Sequence, residues 1–142
     1  MAEVLEVRIH STNQKLGYSG VAKSNPPIIM DYTPPLGDGQ GYMPLELLLM
    51  SLAYCSGGTL SLLLKRMGKS VTAVSVNAKG IRRDHHPTSF TKIFLEFSLH
   101  SQDAGNADVQ KAIKTAEESV CAVWHMLKGN VEIVTEYKIV AS

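Results

Sequence analysis

Cys55 and Cys121 are the residues of this 142-residue chain best suited to chemistry. Both stand among apolar neighbours, where a free cysteine commonly serves as a small hydrophobe. Around Cys55, however, Ser51, Gly58 and Thr59 recur at helical spacing and lay a small, polar stripe along an otherwise fatty segment. Such a stripe leaves room for a substrate or a second helix to approach the sulfur. Cys121 has Glu117, Glu118 and His125 at helical neighbour positions. A protonated imidazole would lower its pKa and the two carboxylates would raise it, so the net sign stays open.

Other chemistries find less support. His85-His86 beside Asp84 reads as a solvated turn, since adjacent histidines in an extended segment point apart and no third ligand stands at a metal spacing. Cys121 with His125 is half a zinc site, so no metal is expected, and no cofactor. Gly37-Asp38-Gly39-Gln40-Gly41 lacks the glycine spacing and the Lys-Ser/Thr ending of a phosphate loop. No Ser-His-Asp signature is present, and Arg82 and Arg83 read as surface charges.

The two sulfurs need helices to carry them. Pro44 suits a first helical position, and an apolar run continues to about Met67 before Gly68 stops it. This helix is apolar on nearly every side, which places it inside the fold or between two chains. Gly57-Gly58 at its middle weakens it by roughly 1 kcal/mol per glycine, a loss that close approach of another backbone would explain. A second helix, capped by Asn106, follows Val109, Ile113, Ala116, Val120, Trp124 and Leu127 and closes at Lys128-Gly129, placing Cys121 near its middle. Strands are expected over 3–10, 18–22, 28–32, 71–81, 90–99 and in the last dozen residues, where apolar and polar residues alternate. The order of strands, helix, strands, helix, strand indicates an α+β fold in one domain, residues 1–142.

Composition narrows the partners. Fourteen basic and thirteen acidic residues leave a net charge of +1, which offers nucleic acid no electrostatic footing. Leu47 to Leu64 is free of charge but carries Ser, Thr, Tyr, Cys and Gly, and reads as a core helix rather than a membrane span. Two cysteines and no basic leader suit a reducing, cytoplasmic setting.

Pro44-Leu45-Glu46-Leu47-Leu48-Leu49 followed by Ala53-Tyr54-Cys55 resembles the OsmC/Ohr family (osmotically inducible and organic hydroperoxide resistance proteins), in which a proline opens the central helix and a cysteine follows eleven positions later. Gly80-Ile81-Arg82-Arg83 with His86-Pro87 and Phe90-Thr91-Lys92-Ile93 is similar to that family's middle hairpin, and Ala116-Glu117 with Val120-Cys121-Ala122-Val123 to its second cysteine segment. The resemblance implies antiparallel sheets wrapping two central cysteine-bearing helices in an intertwined homodimer. It also implies a thiol peroxidase in which Cys55 attacks an organic hydroperoxide, Cys121 resolves the product as a disulfide, and a dithiol reduces it. Glu46 stands next to the position of the family's catalytic glutamate, which Leu45 occupies, and joins the two cysteines as a candidate site residue. The family's arginine has no counterpart, because no Arg lies between Arg8 and Arg66; Lys15 or Lys23 would replace it only as a point charge. An OsmC-like protein without peroxidase activity, holding a small apolar or acyl ligand in its dimer groove, is the alternative. A purely structural dimer with both thiols in the core is a third.

Overall fold

A computed structural model describes residues 2–141, and the chain divides into two compact units, one ending at Leu48 and one beginning at Leu49. In the first unit β1 (Arg8–Ser11), β2 (Tyr18–Val21) and β3 (Ile28–Met30) form an antiparallel sheet in that order. The β1–β2 turn is tied by Asn13, whose Oδ1 accepts the N–H groups of Lys15 at 2.8 Å and Gly17 at 3.1 Å. The alternation over 3–10 predicts a longer first strand than the ladder contains. Pairing begins only at Arg8, opposite Val21, where β2 ends. Ahead of it Val4, Leu5 and Val7 are strongly exposed.

α1 (Pro44–Arg66) begins as its sequence predicts, with Pro44 first; in addition the Glu46 carboxylate accepts the N–H of Met43 at 2.8 Å. At its end Gly68 adopts φ +81°, and the N–H of Lys69 returns to the carbonyl of Leu64 at 3.0 Å. Among the described residues it is one helix long and apolar enough to cross a membrane. Within the second unit its ridge of Leu52, Ser56, Leu60 and Leu64 is nevertheless packed away from solvent.

That unit holds β4 (Ala73–Arg82), β5 (Phe90–His100) and β6 (Glu132–Val140), in the order β4-β5-β6. Ile93, Leu95, Phe97 and Leu99 of β5 face the core, as their alternation requires. β4 and β5 are an antiparallel hairpin, but β6 runs parallel to β5, from Lys92↔Glu132 to His100↔Val140. This corrects the expectation of wholly antiparallel sheets. The segment between β5 and β6 contains two helices and is long enough to return the chain to its starting end, as a parallel pair needs.

α2 (Asn106–Thr115) is capped one residue earlier than expected: Gly105 is the cap, and Asp108 accepts its N–H at 2.9 Å. The expected single helix then breaks. A π-turn spans Ala116–Val120, Cys121 leaves helical conformation at ψ 107°, and α3 (Ala122–Leu127) follows to Gly129 at φ +86°. Cys121 therefore stands at a break between helices and not at the middle of one.

Candidate functional site

Cys55 is carried at the centre of α1 and is half-buried, whereas Cys121 is buried. Both are free thiols in the second unit. The Cys55 sulfur stands near enough to Cys121 to act on its thiol. Burial pushes the Cys121 thiol up to about 11, and the adjoining Cys55 sulfur, to which Cys121 can give its proton, pushes the same way. The N–H groups of Trp124 and Val123, at the start of α3, lean towards the Cys121 sulfur and partly oppose that rise. At neutral pH Cys121 therefore keeps its proton, and the two thiols differ in exposure.

Of the small, polar stripe predicted around Cys55, Ser51 is exposed and the Thr59 hydroxyl donates to the carbonyl of Cys55 at 2.7 Å. Ser56, which the predicted stripe did not include, is buried and donates to the carbonyl of Leu52 at 2.7 Å. Gly57 lies where β4 crosses: a Cβ there would stand 2.6 Å from Cγ2 of Val76, so the crowding at this glycine comes from a side chain and not from the backbone expected. Gly58 faces outwards instead. With Met50, Ala53, Tyr54, Ser61 and Val74 it borders a cavity of about 470 Å³. A second cavity, of about 430 Å³, is bordered by Glu117, Val120, Cys121, His125 and Met126. Glu117 also pairs with Lys128 at 3.5 Å.

The remaining candidates have structural partners. Glu46 caps α1, as described. Lys15 is engaged by Asp38 at 2.7 Å, and this hydrogen bond raises its pKa. Lys23 stands at φ +57° on the surface. Arg82 bonds Thr88 across the hairpin turn, and His85 is flanked by Arg83 and Asp84 on an exposed corner. Among the described residues no three His, Cys, Asp or Glu side chains gather as a metal site.

Sequence reasoning passed over Asp31. It is buried in the first unit, and its carboxylate accepts N–H bonds from Tyr32 at 2.8 Å and from Asp38 and Gln40 at 3.2 Å. Burial alone would raise its pKa; the three N–H bonds outweigh that and hold it below the usual carboxylate value. The Pro- and Gly-rich loop closes around this group, and at Gly37 a Cβ would collide with Asp31 Oδ1. An acid at the mouth of a glycine-rich loop was the available signal.

The order of these elements has counterparts elsewhere. The OsmC-like protein family matches residues 37–136, and the chain belongs to that family. Protein YhfA of Escherichia coli K12 is 31% identical over 127 residues, covering 89% of this chain and 92% of that one. An OsmC-like protein from Mycoplasma pneumoniae superposes with a TM-score of 0.81 at 18% identity, over 99% of each chain. The organic hydroperoxide resistance protein OhrB of Bacillus subtilis superposes with a TM-score of 0.67 at 18% identity, over 96% of this chain and 98% of its own.

Proposed function

We propose that this protein is a cytoplasmic, cysteine-based redox protein that reduces organic hydroperoxides and works as an intertwined homodimer. The observation that carries this reading is the pair of neighbouring thiols in the second unit, Cys55 half-buried and Cys121 buried. Cys55, the more accessible sulfur, attacks as thiolate. It takes the terminal peroxide oxygen, the O–O bond breaks, and the alcohol leaves after gaining a proton. The resulting Cys55 sulfenic acid then meets Cys121, whose sulfur displaces hydroxide and whose proton completes a water molecule, leaving a Cys55–Cys121 disulfide. A dithiol supplies two electrons and two protons to restore both thiols. Glu46 serves this reaction by fixing the start of the helix that presents Cys55. The presence of a hydroperoxide resistance protein among the structural relatives supports the substrate class.

A second reading, a small apolar or acyl ligand held without turnover, draws on different facts. Lys15 is spent on Asp38, no arginine is available between Arg8 and Arg66, and the backbone lies nearer the OsmC-like structure than OhrB. The two readings part on one assay. With a dithiol present, wild type should consume tert-butyl hydroperoxide and Cys55→Ser should not; equal turnover by both would rule out the peroxidase.

A further inference from the structure

The spacing of α2 sets up a competition that the structure resolves in one direction. Val109, Ile113 and Ala116 mark its inward face. Continued as an α-helix, that face would next reach Val120, four residues on. Instead the N–H of Cys121 bonds the carbonyl of Ala116 at 2.9 Å, five residues back, so the turn holds one residue more than α geometry allows. The surplus residue moves the inward position along by one: Val120 is 48% exposed and Cys121 only 1%. Trp124 follows Val120 by four residues and Cys121 by three, so it keeps to the inward side with either residue leading.

We infer that residues 116–120 form a two-register element, in which the π register turns Cys121 towards Cys55 and an α register buries Val120 in its place and swings Cys121 away. The inference rests on the two-cysteine reading given above and names the part of the site that moves. Cys55 has no comparable freedom. It lies in an unbroken helix between buried Leu52, Ser56 and Leu60, with Gly57 pressed against Val76. Cys121 has an apolar stand-in one residue away, and the chain around it already departs from helical conformation. A disulfide can close only when both sulfurs meet, so it draws on the π register and then holds it. The cavity bordered by Val120, Cys121, His125 and Met126 would change its lining as the pair is oxidised and reduced.

Two variants of the full chain test this, with diamide as oxidant so that hydroperoxide turnover is not required. Diamide takes two electrons and two protons from the thiol pair, and its azo group becomes a hydrazine. Deletion of Ser119 removes the surplus residue, so that Cys121 falls four residues after Ala116 and keeps the inward position in α geometry, and the register that buries Val120 in its place is lost. The variant is expected to melt cooperatively and to form the Cys55–Cys121 disulfide with diamide, yet to label at Cys121 with N-ethylmaleimide at least about tenfold more slowly than wild type. Labelling of Cys121 at the wild-type rate would overturn the inference. Val120→Asp closes the same register by a second route and stands alone should the deletion not fold. Its carboxylate is tolerated on the surface but penalised when buried, so native-state labelling of Cys121 by N-ethylmaleimide should slow by at least about tenfold. Unchanged labelling of Cys121 would overturn the inference. Failure of the peroxidase reading alone would show as absent hydroperoxide turnover with both of these results intact.

Discussion

At the scale of single residues, the raised pKa of the Cys121 thiol has a consequence for stability. Burial holds the Cys121 proton, so the folded protein ionises there later than the unfolded chain. Below about pH 9 both states keep the proton and the contribution is complete. Between pH 9 and 11 the unfolded chain loses its proton first and stability falls, a decline that ends once the folded thiol also ionises. The reduced protein should therefore lose more Tm over that interval than Cys121→Ala, measured by calorimetry; equal slopes would contradict the assignment. Asp31 works in the opposite direction. Its carboxylate is held low by three N–H bonds, so its contribution is present above the ordinary carboxylate pKa and is lost as pH falls through the lowered one. Asp31→Asn should lower Tm at neutral pH and flatten the acid limb of the Tm profile. Neither effect could be read from sequence, because both depend on which groups the fold brings against one carboxylate or one thiol.

Among the elements, α1 separates two glycines that look alike in the sequence. Gly57→Ala would gain roughly 1 kcal/mol of helix propensity, but its Cβ meets Val76 at 2.6 Å, and overpacking costs about 1–3 kcal/mol. Gly58→Ala meets only the ring of Tyr54, at 3.8 Å, and keeps the propensity gain. Chemical denaturation should rank Gly58→Ala above wild type and Gly57→Ala below it; the reverse order would deny the packing of β4 on α1. The boundaries of α1 were legible because Pro44 and Gly68 encode them locally. The inward face of β5 was legible because alternation maps directly onto the pleat. The break at Cys121 was not, since Val120 satisfies an α-helical pattern as well as any residue could. The direction of β6 was hidden for a related reason: alternation defines a strand's faces and says nothing of which way its neighbour runs.

For the whole molecule, the apolar side chains left on the surface bear on assembly. Val4, Leu5 and Val7 precede β1 with no partner strand, and Tyr54 and Met126 are 83% and 71% exposed. The proposed homodimer would cover such residues, and sedimentation should give a species of twice 15.5 kDa. A monomer across micromolar concentrations would remove the dimer from the account while leaving the fold intact. Fold class and family were readable from ordered motifs spread along the chain, whereas the meeting of Cys55 with Cys121 depends on a tertiary arrangement that spacing alone does not specify. That meeting is tested most directly by intact-mass and peptide analysis of the reduced protein after one equivalent of tert-butyl hydroperoxide. The account predicts loss of two hydrogens and a peptide pair joined through Cys55 and Cys121. Two unmodified thiols, or Cys55 held as sulfenic acid beside a free Cys121, would contradict it.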